Sequence, residues 1–218
     1  MILESLLNKV AVNLHEYFKN TRIMAENLRS PNSFFFGFIA KRLMLVGNQK
    51  VIEDSVQRLN IKREDKVLEI GSGNGQAIIE ILKKNPKQIK VIEISPIFRN
   101  HLKNKFGNKI QLYENDAKNL KGIINNSSID KILLINVIYF LNPLDLYLKE
   151  LKRILNKNGT IFIAGKFEAV KTFDDSVFQN KKITGLLKIL KKFFKVSYEF
   201  VDLGDLNSRY YAIYLKIN

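Results

Sequence analysis

The chain has 218 residues, 46% of them hydrophobic, with 36 Lys and Arg against 21 Asp and Glu, a net charge of +15. The length suits one domain with decorations, and the balance of apolar and charged residues is that of an ordinary globular protein. With no cysteine, disulfides, thiolate metal sites, iron–sulfur clusters and a cysteine nucleophile are all excluded, and the only two histidines, His15 and His101, cannot build a histidine-rich metal site; no metal is expected. A charge of +15 favours nucleic acid or other anionic partners. Yet Lys outnumbers Arg 28 to 8, and Asn and Ile reach 23 and 27, as an A/T-rich genome would impose without selection for binding. Residues chosen to grip phosphate would more often be Arg, so genomic bias is preferred to a dedicated nucleic-acid surface. No segment reaches the roughly 18 apolar residues of a membrane span. The N-terminus has no basic region before its first acid, Glu4, so no signal peptide is expected and a cytoplasmic protein is.

Residues 2–19 place Leu3, Leu6, Leu7, Val10, Leu14 and Phe18 on one helical stripe. Thr21 to Arg29 reads as a second helix that stops before Pro31. The run Phe34-Phe35-Phe36-Gly37-Phe38-Ile39-Ala40 is too aromatic to be left exposed. Residues 38–46 and 49–59 read as helices separated at Gly47-Asn48, so 1–60 forms a helical cap or lid. From Lys66 strands alternate with helices. Strands are expected at 67–70, 90–95, 109–113, 130–137 and 160–164, the last entered by a turn at Asn158-Gly159. Helices are expected at 96–105 and at 145–155, where apolar residues fall at 146, 148, 151, 154 and 155. Apolar runs such as Ile132-Leu133-Leu134-Ile135 suit parallel strands covered on both faces. Lys181–Phe194 is a basic amphipathic helix, and 195–203 with 210–216 forms an antiparallel edge hairpin. The fold class expected for 61–218 is α/β: a Rossmann-like, doubly wound, mostly parallel seven-stranded sheet with that hairpin at one edge.

The first strand runs into Glu69-Ile70-Gly71-Ser72-Gly73-Asn74-Gly75. Glycine lets the backbone turn sharply and lets a ligand approach it, and a helix beginning near Asn74 aims its free N–H groups at that ligand. The G-x-G-x-G spacing is neither a dinucleotide fingerprint nor a phosphate-binding P-loop. Glu93, at the tip of the next strand, lies 22 residues after Gly71; a carboxylate there can accept both hydroxyls of a ribose.

Val67–Gly75 resembles motif I of the class I S-adenosylmethionine-dependent methyltransferases. Val91-Ile92-Glu93-Ile94-Ser95 resembles their acidic-loop motif, and Asn115-Asp116-Ala117 their adenine-side motif. Residues 130–140 and 151–159 are similar to the ubiquinone/menaquinone-type branch of small-molecule methyltransferases. The leader, from Leu28-Arg29-x-Pro31 through Met44 and from Asn48 to Leu59, is similar to that of bacterial methyltransferases of unassigned substrate. The resemblance covers about residues 60–217 and implies S-adenosylmethionine as cofactor. It implies that Glu69 and the Gly71, Ser72 and Gly73 turn hold the methionine end, that Gly75 permits helix-on-strand packing, and that Glu93 and Ile94 lie at the ribose. Asp116 and Ala117 would meet the adenine, and Asn136 and Val137 would lie below the sulfonium. Two departures are a Glu at the ribose where Asp is common, and Leu120-Lys121-Gly122 in place of the usual Leu-Pro-Phe loop.

A sulfonium methyl is already activated, so transfer asks mainly for placement of the nucleophile and exclusion of water; a general base is needed only where the nucleophile must lose a proton. Tyr139 and Glu168 are the candidates for that role, with Asp174 and Asp175 behind them; Tyr139 also reads as an apolar wall and the two Asp as solvated loop acids. His101 reads as a surface residue, and His15 faces the pocket only if the first helix is a lid. Three functions compete. The first is methyl transfer to a small molecule beneath the leader. The second is methylation of RNA, since residues 91–94 and Leu102 also resemble ribosomal RNA adenine dimethyltransferases. Asn136-Val137-Ile138-Tyr139 lacks the proline of their Asn-x-Pro-Tyr, however, and a chain ending at 218 leaves no room for their C-terminal helical domain. The third is an inactive scaffold that binds cofactor or a partner, against which the intact glycine turn and both acids argue. Without cysteine, thiol-dependent methylation of pyrimidine carbons or arsenite is excluded. The small-molecule reading is preferred.

Overall fold

The computed structural model describes all residues but Met1, Ser33 and Asn218; the side chains of Ile2, Leu3, Ser5, Phe34, Leu45 and Val46 also lie outside the described set, so the expectations for Leu3 and Phe34 fall outside it too. Four leader helices, α1 (Ile2–Phe18), α2 (Arg22–Arg29), α3 (Phe34–Gly47) and α4 (Gln49–Leu59), precede the sheet. There follow β1 (Lys66–Ile70), α5 (Gln76–Lys83), β2 (Gln88–Ile92), α6 (Pro96–Phe106), β3 (Gln111–Tyr113), β4 (Ile129–Ile135), α7 (Leu144–Ile154), β5 (Leu155–Gly165), α8 (Ile183–Leu190), β6 (Lys195–Asp202) and β7 (Arg209–Lys216). The seven strands run in the order β3-β2-β1-β4-β5-β7-β6. The first five in the chain pair in parallel, and β7 is antiparallel to both β5 and β6. This is the doubly wound sheet with an antiparallel edge that the alternation of elements implies. No described helix is long and apolar enough to cross a membrane.

Each face of the sheet carries one core. On one, Leu68, Ile132, Leu134 and Ile163 pack with α7 and α8; on the other, Val67, Val91, Leu133 and Phe162 pack with α4, α5 and α6. Of the leader helices, α4 thus covers the sheet through Val51, Val56 and Leu59, whereas Met24, Ile39 and Ala40 form a separate small core joined by Leu14, Phe18 and Phe36. Ala25 and Leu28 of α2 tie that unit to the first face.

Several expectations are corrected. The α1 stripe is split: Leu14 and Phe18 pack inward while Leu6 and Val10 stay exposed. The aromatic run opens α3, and Phe35 and Phe38 remain 47% and 39% exposed, because α1 and α2 cover only part of that helix. Leu146 on α7 is also exposed. Strand β2 ends at Ile92: the Glu93 amide makes a last bond to the Tyr113 carbonyl at 3.1 Å, and its side chain turns to the neighbouring loops. Strand β4 ends at Ile135 because Asn136 takes a φ of +56°. Residues 107–109 form a 3-10 turn rather than the start of β3. Asn158-Gly159 lies within β5 at a register irregularity, where pairing jumps from Ile129–Leu155 to Lys131–Thr160, and not in a turn. The C-terminal helix is shorter than the amphipathic pattern, since Lys181 is drawn inward to the Phe173 carbonyl.

Gly75, the residue before α5, has a φ of +77°, and a Cβ there would stand 2.5 Å from Phe106 and 2.7 Å from Leu102 of α6. Left-handed backbone costs an L-residue about 1–2 kcal/mol and overpacking about 1–3 kcal/mol. Gly75→Ala is therefore expected to lower stability by about 2–5 kcal/mol, read as a lower urea midpoint at unchanged slope.

Candidate functional site

The carboxyl ends of β1, β2 and β4 meet at one edge, and a cleft of about 1020 Å³, counting its mouth, opens there. In an open parallel sheet that edge, where the connections diverge to opposite faces, is where ligands bind. Of the residues singled out in the sequence, Glu69, Gly71, Ser72, Gly73, Glu93, Ile94, Asp116, Ala117, Asn136 and Val137 all line it. Gly75 stands behind it against α6. Tyr139 and Glu168 do not line it: Tyr139 is 1% exposed among Phe140, Phe167 and Phe178, and Glu168 points to solvent. Asp174 caps its own turn by accepting from Ser176, Asp175 pairs with Lys181 at 3.2 Å, and His101 is exposed. His15 packs edge-on against Phe173, and burial lowers its pKa.

The glycine turn is shaped from two sides. A Cβ on Gly71, at φ +71°, would come within 2.5 Å of Val137. On the other side Glu93 is buried, with Oε2 accepting from the Gly73 amide at 2.9 Å and Oε1 from the Ser95 amide at 2.8 Å. Burial raises the pKa of Glu93, and those two amide bonds oppose the rise. At the far wall Asp116 accepts from the Tyr147 hydroxyl at 3.0 Å and from the Lys118 amide at 3.2 Å. The departing loop is held too, by the Leu120 amide donating to Glu150 at 2.8 Å.

The leader contributes to the lining. Leu28 and Arg29 of α2, Met44 of α3 and Asn48 line the cleft. The α3–α4 junction is fastened to the sheet: Lys166 donates to the Gly47 carbonyl, and Asn136 Nδ2 donates to Asn48 Oδ1 at 3.1 Å. Asn136 Oδ1 in turn accepts from the Tyr139 hydroxyl at 3.2 Å and from the Lys166 amide at 3.4 Å. Tyr139 therefore orients Asn136 from within the core, and burial pushes the Lys166 ammonium down to about 8. The roles of Met44, Asn48, Arg29 and Tyr147 escape sequence reasoning. The leader motif quoted for its resemblance contains the first three, but only packing brings them over the cleft.

Three buried polar atoms on the wall have no hydrogen bond of ordinary geometry among the described residues: Glu69 Oε2, Ser72 Oγ and Asn74 Nδ2, although Ser72 stands close enough to Glu69 to oppose the rise of its pKa. A buried polar group without a partner is costly. A carboxyl oxygen beside a hydroxyl and an amide donor suits a zwitterionic amino-acid group, whose ammonium would favour the ionised carboxylate, and so fits the methionine end of S-adenosylmethionine. Burial, with Glu93 adding to it, pushes Glu69 up to about 8.

Residues 68–163 match the profile of the methyltransferase domain family. Over 59 residues, 27% of the chain, it is 42% identical to ribosomal RNA small subunit methyltransferase A of a Sulfurihydrogenibium species; the match spans under a quarter, 23%, of that relative's length. Similar solved structures include the precorrin-6y C5,15-methyltransferase of Geobacter metallireducens, at 16% identity and TM-score 0.58, with 78% of this chain and 88% of that one covered. Another is the 1,6-didemethyltoxoflavin-N1-methyltransferase of Burkholderia thailandensis, at 12% identity and TM-score 0.59, with 80% and 81% covered. The chain thus shares the fold of these solved methyltransferases, and its residues 68–163 match the methyltransferase domain. Nothing in these similarities points to the ubiquinone/menaquinone-type branch expected from residues 130–159.

A carboxyl whose folded pKa is raised stabilises the fold fully below its ordinary value near 4.5, and that contribution is lost as pH rises through about 8. Glu69→Gln is expected to remove the loss. By urea denaturation of the ligand-free protein, the variant should be the more stable at pH 9, with the gap closing toward pH 5; a gap constant across that range counts against the assignment.

Proposed function

We propose that the chain transfers a methyl group from S-adenosylmethionine to a small-molecule acceptor. When bound, the cofactor supplies a methyl carbon already activated by its sulfonium. In this reading Glu69, Ser72 and Asn74 bind the amino-acid end, and Glu93 shapes the glycine turn while facing the ribose side with Ile94. Asp116 and Ala117 meet the base, and Asn136 and Val137 floor the reacting end. Residues 1–60 act as the cap, with α1–α3 as roof and α4 as its anchor on the sheet, so that water is kept from the acceptor.

The observation that carries the small-molecule reading is the state of Tyr139. The RNA adenine dimethyltransferases hold a flipped base with an aromatic after the fourth strand. Here that aromatic is 1% exposed and its hydroxyl is committed to Asn136, leaving no face to stack a base. The roof residues Leu28 and Met44 support the same reading by narrowing the cleft with apolar walls. The second reading, methylation of ribosomal RNA, is favoured by the 59-residue similarity to that enzyme.

Gly73 has a φ of +53°, and a side chain there would enter the cleft beneath Met44, whose Sδ would lie 3.8 Å from its Cβ. Calorimetry should detect S-adenosylhomocysteine binding to the native chain and none to Gly73→Arg; equal affinity would remove the cofactor from this cleft. For the acceptor, the enzyme is supplied with methyl-labelled cofactor and either a metabolite fraction below about 1 kDa or purified ribosomal RNA. Label is expected in the small-molecule fraction. Stoichiometric label on RNA with none in small molecules would establish the second reading instead.

A further inference from the structure

The charge of this chain is not spread evenly over its surface. The strands β1 to β5 are parallel, and β6, antiparallel to β7, which is antiparallel to β5, runs the same way. The connections that enter these six strands therefore gather at the pole opposite the cleft; the one before β4, residues 123–129, is uncharged, and the other five are basic. Residues 62–66, 83–87, 103–109, 152–157 and 191–195 each carry three Lys or Arg. Against these fifteen cations the same segments hold two acids, Glu64 and Asp65, and Asp65 is spent accepting from the Lys62 amide at 2.8 Å.

Twelve of the fifteen are exposed. Among the described residues only Lys83 and Arg153 are in ion pairs, with Glu80 and Glu150. Helix C-termini lie at this pole, and a cation in the last turn is favourable there, but that accounts for about one per helix and not for three in each of five connections. Genomic bias explains why the residues are Lys rather than Arg. It does not explain why they concentrate at one end, since such bias acts on the whole chain.

The row follows the width of the seven-stranded sheet, roughly 30 Å at about 4.8 Å per strand. None of the exposed large apolar side chains falls in these segments, so the pole lacks the anchors that seat a protein in a lipid surface. It also lacks an exposed aromatic for base stacking. A linear array of cations with neither feature matches a linear polyanion held by its phosphates alone.

We propose that the pole opposite the cleft is a sequence-blind nucleic-acid-binding surface that takes a single RNA strand along its phosphate backbone. Bound there, the strand faces away from the cleft and is a tether or a neighbour, not the methyl acceptor. This goes beyond the small-molecule reading and does not depend on it, because it is tested by binding and not by transfer.

The test is fluorescence anisotropy of the full chain with a labelled 20-nucleotide polyuridine and, separately, a polyadenine of equal length. The two should bind alike, and affinity should fall about 100-fold between 50 and 200 mM salt, as neutralising about five phosphates requires. Reversing Lys84, Lys87, Lys157 and Lys195 to Glu should weaken binding at least ten-fold at 100 mM salt. A charge-matched control reverses Lys9, Lys41, Lys171 and Lys182 to Glu, and should weaken it much less. Both variants are checked for native unfolding temperature; where the quadruple variant is unstable, the pairs Lys84/Lys87 and Lys157/Lys195 are read singly for at least a three-fold loss each. Equal loss in the control would reduce the effect to net charge and overturn the surface. Binding to vesicles with 30% phosphatidylserine but not to RNA would overturn it in favour of a membrane.

Discussion

The cleft depends on one buried carboxylate. Glu93 stands where β2 ends, and its two oxygens take the amides of Gly73 and Ser95. Burial resists the charge, and the amides of two different loops restore part of what water would have given it. The consequence is geometric. The glycine turn after β1 and the entry to α6 are both drawn to the end of β2, with Ser95 free to cap α6 at the Phe98 amide. Gly71 can then sit against Val137, closer than a side chain would allow.

The roof answers a different constraint. Helices α1 to α3 have only a small core of their own and expose apolar side chains such as Leu6, Ile23 and Phe35. What sets their position is the α3–α4 junction, pinned by Lys166 at Gly47 and by Asn136 at Asn48. Asn136 holds a left-handed backbone to make that contact, and such strain persists where surrounding bonds over-determine it. The Tyr139 hydroxyl and the Lys166 amide supply those bonds. A residue at the reacting end of β4 is thereby joined to the cover above it.

Parallel strands also give the molecule an axis. Strand ends and helix starts meet at the cleft, where Glu69, Glu93 and Asp116 gather. Helix ends and strand starts meet at the far pole, where cations gather. The helix dipole favours both placements of cations and of ligands, so the two ends differ in charge by construction.

The sequence by itself determined the sheet and most of the cleft wall. Apolar runs of β length, glycines at a strand end and an acid at the next strand tip are local signals, and the parallel topology that converts them into one edge leaves few alternatives. Strand limits at Ile92 and Ile135 were not legible, because the side-chain bonds made just beyond them, Glu93 to the Gly73 amide and Asn136 to Asn48, join residues 20 and 88 apart in the chain. Tyr139 reads in sequence as a wall or an acid–base candidate, and only packing among Phe140, Phe167 and Phe178 decided that it serves the core and Asn136. The amphipathic stripe of α1 could not reveal that Leu6 and Val10 stay exposed, since a stripe states what a helix can bury and not what is there to cover it. The grouping of cations at one pole is likewise absent from the linear pattern: five short segments tens of residues apart become one surface only when the strands they lead into run the same way.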